Sequence, residues 1–76
     1  MINSKKSIPV IAENIKLLRA KQGISQDKLS KLADISLHTI TKIESGDTPN
    51  PTIETVQKIA KAFDVSVDYL LNPRSK

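Results

Sequence analysis

Residues 25–46, SQDKLSKLADISLHTITKIESG, carry two helix-start signals and two helix-stop signals in quick succession. That punctuation confines the stretch to two short helices joined by a turn of about three to four residues. Ser25 is a good N-cap, and Asp27 in the following turn suits the positive end of a helix dipole. Ser36 repeats the cap signal, and Gly46 is a good stop. Asp34 stands where the chain must turn sharply, and Asp tolerates a positive φ better than most side chains. Leu29, Leu32 and Ala33 mark the inner face of the earlier helix. Ile40 and Ile43 mark that of the later one, with Ile35 just before its cap. The later helix keeps His38, Thr41 and Lys42 for its outer face.

Three further helices account for nearly all of the remaining sequence. The first runs from about Ile8 to Lys21, capped by Ser7, with Pro9 tolerated in its first turn. Ile11, Ile15 and Leu18 share one face, and Gly23 ends it. The segment GDTPNP is loop, punctuated by Pro49 and Pro51. A fourth helix follows Thr52, with Ile53, Val56, Ile59, Ala60 and Phe63 at helical spacing. A short fifth begins after Ser66, carries Val67, Leu70 and Leu71, and stops at Pro73. Asp64 and Asp68 are assigned to its capping and first turn. Residues 1–7 and 72–76 read as tails. No segment alternates with period two, so the expectation is an all-α, compact five-helix bundle forming one domain over residues 1–76.

The 76 residues include no cysteine and a single histidine, His38. Disulfides are excluded, and a structural metal site lacks ligands. The core must be aliphatic, helped by caps and by a partner subunit. The chain has no Ser/His/Asp constellation and no Gly-rich phosphate loop, so neither an enzyme nor a cofactor is expected. No apolar run reaches the ~20 residues that span a bilayer, and MINSKKSIPV has no apolar signal core, which makes the cytoplasm the default compartment. The net charge is +4. Its placement matters more, because eight of the twelve basic residues but only three of the eight acids precede Ile43. The basic half coincides with the two punctuated helices, and a polyanion is the simplest partner for it. A helix held outward on a turn of this kind fits the major groove of B-DNA.

The stretch QGISQDKLSKLADISLHTITKIESGDTPNPTIETVQKIAKAFDVSVDYLL resembles the Cro and phage-repressor type of helix-turn-helix, the Xre family. Ser25-Gln26, Leu29, Ile35-Ser36, Ile40, Ile43, Glu44-x-Gly46, the proline loop and the closing SVDYLL carry the resemblance jointly. It implies a lambda-repressor-like bundle whose third helix is the recognition helix. It also implies a sequence-specific transcriptional regulator, typically a repressor, that binds operator DNA as a two-fold dimer. Two positions depart from the family pattern: Asp34 replaces the usual turn glycine, and Ser30 the usual alanine.

The same resemblance distributes roles along the chain. Gln26, with Ser25, matches a position that bonds a DNA phosphate from the start of the second helix, where free N–H groups attract anions. His38, Thr41 and Lys42 match positions that face base edges. Leu37 has two readings: its spacing from Ile40 suggests core, while the family places it against DNA, where it can pack on a thymine methyl. Thr39 lies beside this face and is assigned to the phosphate backbone. Asn50 and Thr52 match a second phosphate contact before the fourth helix. Arg19 and Glu44 align with a buried ion pair. Val67, Tyr69, Leu70 and Leu71 are candidates for a homodimer surface. An alternative role for such a domain is that of an antitoxin, or of a repressor titrated by a protein antagonist.

Overall fold

Hydroxyl caps and left-handed stops divide the chain. The computed structural model describes residues 8–73. Among them are five helices and no strand: α1 (Val10–Gln22), α2 (Gln26–Ala33), α3 (Leu37–Ser45), α4 (Ile53–Phe63) and α5 (Val67–Leu71). Ser25 Oγ accepts from the Lys28 amide, Ser36 Oγ from Thr39, Thr52 Oγ1 from Thr55 and Ser66 Oγ from Tyr69. Each bond satisfies a backbone donor that a helix start leaves without an internal partner. At the other ends Gly23, Asp34, Gly46 and Asp64 adopt left-handed φ values of 66°, 59°, 91° and 63°. Asp64 therefore closes α4 and does not cap α5; Ser66 does that.

The first helix begins later than the sequence suggested. Pro9 is its N-cap, with ψ of 145°, and Val10 is its first helical residue. The proline ring disfavours helical geometry in the residue before it, and Ile8 stays outside the helix. The Pro9 carbonyl still accepts from Glu13 N at 3.2 Å, the first bond of the helix. Ser7, assigned as the cap, lies outside the described residues, as do residues 1–6 and 74–76.

The helices pack so that α3 is held from two sides. It contacts α1 and α2; α1 also contacts α5, and α4 contacts α2 and α5. Phe63, Ile15, Leu29, Ile40, Ile59 and Leu70 are enclosed at the centre. Two apolar residues assigned to this core are on the surface instead. Leu32 is 51% exposed, while the buried residues of α2 are Leu29, Ser30 and Ala33. At about 100° per residue, Leu32 lies roughly 110° from the middle of that stripe. Ser30 tolerates burial because its hydroxyl donates to Asp27 O at 2.7 Å. Ile53 is 63% exposed. It is the first residue of α4, and Cα–Cβ bonds tilt toward the helix N-terminus, so its side chain leans toward the loop.

Asn14 was missed in the sequence. It sits on the same face as Ile11, Ile15 and Leu18 and is 2% exposed. Its Nδ2 donates to the carbonyls of Leu70 at 2.8 Å and Asn72 at 2.9 Å, with Tyr69 O at 3.4 Å. A five-residue helix is too short to persist unaided. Asn14 pins the end of α5 where its carbonyls lack helical partners. Asn14→Ala removes these donors and should cost ~1–3 kcal/mol, with amide exchange quickening first in α5. A cost spread evenly over all five helices would contradict this role. Gly46→Ala should also destabilise, by ~1 kcal/mol or more. Its φ of 91° disfavours a side chain, and a Cβ there would stand 3.3 Å from Pro9 Cδ. Urea unfolding of the variant checks this.

Candidate nucleic-acid interface

The third helix, α3, has a sharply divided cross-section. Ile40, Ile43 and Glu44 face inward and are buried, whereas Leu37, His38, Lys42 and Ser45 are exposed, with Thr39 and Thr41 half-buried between them. Leu37 is 41% exposed, which settles its two readings against the core. Ile35, just before the cap, packs on the core from this end of the helix. The hydroxyl of Thr41 donates to His38 O at 2.9 Å and that of Ser45 to Lys42 O at 3.0 Å. Thr41 Oγ1 keeps acceptor capacity, whereas Ser45 Oγ already accepts from Asp47 N at 3.2 Å.

One buried carboxylate aims this helix. Glu44 is 3% exposed. Its Oε2 accepts from Arg19 Nε at 2.7 Å, and its Oε1 accepts from Arg19 Nη2 at 3.0 Å. The pair is bidentate and joins α1 to α3. Arg19 Nη1 also donates to Ile24 O at 3.0 Å, in the connection between α1 and α2. Hydrogen bonding to Glu44 raises the Arg19 pKa above its ordinary value; burial opposes the rise and the charge of Glu44 adds to it. The guanidinium is therefore charged at any pH the fold meets. Glu44 takes a further bond from Gln26 Nε2 at 3.2 Å. Arg19 and Glu44, paired in the sequence, and Gln26, given a separate role there, thus form one network across three helices.

The remaining assigned residues surround α3. Ser25 is exposed and uses its oxygen as the cap acceptor, which leaves its hydroxyl proton available. On the other side, a groove between α3 and the start of α4 is lined by His38, Thr39, Lys42, Thr48, Thr52 and Thr55. It brings the assigned Thr39, Lys42 and Thr52 together with Thr48 and Thr55, which sequence reasoning did not single out. Thr39 and Thr55 occupy the same place in their helices, each hydroxyl-bonded to its cap: Ser36 Oγ donates to Thr39 Oγ1 at 2.9 Å and Thr52 Oγ1 to Thr55 Oγ1 at 3.0 Å. The repeated cap-x-x-Thr pattern was the available signal. Asn50 is exposed in the loop.

The assigned dimer residues divide. Leu70 is fully enclosed and belongs to the core, so it is removed from that surface. In so short a helix only one position can point straight at the bundle, and Leu70 takes it. Val67 and Tyr69 are half-buried against the core, and Leu71 is 47% exposed. Leu17 of α1, 53% exposed, lines a hollow with Tyr69 and Lys21 and extends the apolar area beyond α5.

A turn-mounted outer helix held by a buried ion pair, with a helix start on either side, defines a helix-turn-helix protein of the Cro/C1 type. The chain belongs to that family: the helix-turn-helix family model matches residues 15–70. It is similar to the HTH-type transcriptional regulator SinR of Bacillus licheniformis, with 31% identity over 67 residues, covering 88% of this chain and 60% of SinR. It is also similar to the SPbeta prophage-derived HTH-type transcriptional regulator YopO of Bacillus subtilis, with 37% identity over 65 residues, covering 84% of this chain and 90% of YopO. The chain thus spans about 60% of the length of the SinR relatives it matches. Its fold matches the N-terminal DNA binding domain of SinR from Bacillus subtilis at a TM-score of 0.82 and 30% identity, over 88% of this chain and 97% of that one. The fold also matches that of the hypothetical transcription factor NHTF from Neisseria, with a TM-score of 0.79 at 23% identity, over 97% and 92% of the two chains.

Arg19→Ala strands the Glu44 carboxylate and should cost ~3–5 kcal/mol. Replacing both partners, Arg19→Met with Glu44→Leu, should leave stability near or above wild type, because each buried charge then disappears with its partner. Thermal unfolding of the two variants separates the cases. An unchanged melting temperature for Arg19→Ala would show that the pair does not hold the helix.

Proposed function

We propose that this chain is a sequence-specific DNA-binding transcriptional regulator that acts in the cytoplasm as a homodimer, repressing by occupying its operator. The observation that carries the reading is the open outer face of α3, fixed from beneath by Glu44 and flanked by the starts of α2 and α4. Long-range attraction by the basic half of the chain brings it to a duplex. The outer face of α3 then enters the major groove. Lys42 donates to guanine O6 and N7, His38 offers one donor and one acceptor to a base edge, and Thr41 meets a base through its oxygen or methyl. Leu37, exposed at the tip of the helix, packs on a thymine methyl.

Register comes from the backbone. Gln26 and Ser25 bind one phosphate at the start of α2, while Thr39, Thr52 and Asn50 bind another on the far side of α3. One such module reads only a few base pairs, so symmetry is needed to lengthen the site. The outer side of α5, with Leu71 exposed and Val67 and Tyr69 half-exposed, supports a two-fold contact. Two copies joined there would read half-sites separated by about one helical turn, ~34 Å.

Selection of bound duplexes from a random pool, at a stated salt concentration, tests the proposal. Wild type should enrich a two-fold symmetric site, with log affinity falling against log salt by ~0.9 per phosphate neutralised. His38→Ala, Thr41→Val and Lys42→Ala should keep the fold. Each should relax preference at one position per half-site, by ~1–3 kcal/mol where a bidentate contact is lost. Enrichment of the same sites by all three variants would remove these readers. A wild-type pool indistinguishable from its input would remove the regulator assignment.

A further inference from the structure

Glu44 cannot touch a duplex, yet it bonds a residue assigned to do so. We infer that Glu44 is a positioning residue for DNA binding: it orients the Gln26 side-chain amide so that an N–H faces a phosphate, and thereby ties the backbone grip to the aim of α3. The inference rests on the reading of Gln26 as a phosphate ligand.

The argument begins with the asymmetry of a primary amide. One end donates two N–H bonds and the other only accepts. A phosphate oxygen only accepts, so a glutamine turned the wrong way presents a repelling carbonyl. An unrestrained glutamine at the exposed start of a helix samples both orientations and several rotamers. Glu44 removes that freedom. Its carboxylate also only accepts, so it selects the orientation with nitrogen inward, and Nε2 stands 3.2 Å from Oε1. One N–H is engaged there and the second remains for the phosphate.

A bare carboxylate so close to a phosphate site would repel the DNA. Arg19 prevents this, because its two bonds to Glu44 neutralise the charge from the side of α1. Its third bond, to Ile24 O, fixes the chain just before the Ser25 cap. The three residues divide the work: Arg19 neutralises, Glu44 orients and Gln26 makes contact. Glu44 lies on α3 itself, near its C-terminal end, so the phosphate contact and the reading helix share one rigid connection.

The test is a double-mutant cycle on affinity for the selected duplex. It uses the full chain as wild type, Gln26→Ala, the paired replacement Arg19→Met/Glu44→Leu, and all three changes together. Gln26→Ala should weaken binding ~10-fold or more, from the lower end of the range for a hydrogen bond to a charged acceptor. The paired replacement should weaken it at least as much while remaining folded, since it also releases the angle of α3. In that background Gln26→Ala should cost less than ~2-fold, because the amide is no longer oriented. Nuclear magnetic resonance of the wild-type chain gives a readout that needs no variant: the Gln26 side-chain NH2 signals should be exchange-protected in the free protein and should shift on addition of duplex.

The outcomes are distinguishable. Equal losses from Gln26→Ala in both backgrounds would overturn the positioning role while leaving the phosphate contact intact. So would an unprotected Gln26 amide in the free wild type. Wild-type affinity in Gln26→Ala would remove the phosphate contact itself, and the positioning role with it. Failure of wild type to bind any duplex would end the regulator reading before the cycle begins.

Discussion

A single buried carboxylate holds the interface in place. Glu44 is the one charged residue enclosed in a mainly apolar core among the described residues, and it is tolerated because three N–H groups converge on its two oxygens. An apolar pair at positions 19 and 44 would hold α3 against α1 as firmly, since the Coulombic gain of a buried pair roughly offsets its desolvation. Stability therefore does not account for the arrangement. Direction does. Hydrophobic contact is indifferent to rotation of a helix about its axis by a few degrees, whereas a bidentate guanidinium–carboxylate contact is planar and fixes that angle. On the proposed function, a helix that places short side chains against base edges has its angle set before it meets the duplex, as any preorganised site does.

The same economy governs α5. Five residues cannot sustain a helix, and Leu70 alone among them is fully enclosed. Asn14 supplies what length does not. By donating to two or three carbonyls at the end of α5, it replaces the helical bonds that a longer element would have made internally. One polar residue of α1 thus anchors a segment more than fifty positions away while leaving Leu71 outside. Gln22 does similar work for α4, donating to Phe63 O at 3.2 Å from the last residue of α1. The first helix is thus both a wall of the core and a source of caps for the ends of its neighbours.

Local chemistry was the legible part of the sequence. Caps at Ser25, Ser36, Thr52 and Ser66, and stops at Gly23, Asp34 and Gly46, are decided within three or four residues, and there pattern and structure agree. Two local readings failed, the start of α1 at Pro9 and the place of Asp64, and the other failures arose where a residue's environment is set by a distant neighbour. Leu32 and Ile53 were placed inside because they are apolar, but which side of a short helix is covered depends on the partner helix. Asn14 passed unnoticed because a buried amide announces itself only through acceptors elsewhere in the chain. The Arg19–Glu44 alignment came from the family pattern, and nothing in that pattern connected either residue to Gln26. Of the groove residues, Thr55 carried a local signal in the repeated cap-x-x-Thr pattern, whereas Thr48 is an ordinary loop threonine until α4 is brought beside α3.

The composition of the proposed interface makes aim matter more than charge. Of the positions assigned to bases or phosphates, only Lys42 carries a permanent positive charge; the others are neutral amides, hydroxyls, an imidazole and a leucine. Such groups gain little at long range and act only at contact distance, within a few tenths of an ångström of their optimum. The lysines outside the interface can gather the protein onto any duplex, because phosphate attraction is blind to sequence. Discrimination must then come from whether several neutral groups reach their partners at once. That is a geometric condition on α3 as a rigid body. The structure meets it by binding the helix at both ends of its buried side: through Ile35 and Ile40 packed in the core near its start, and through the network on Glu44 near its end.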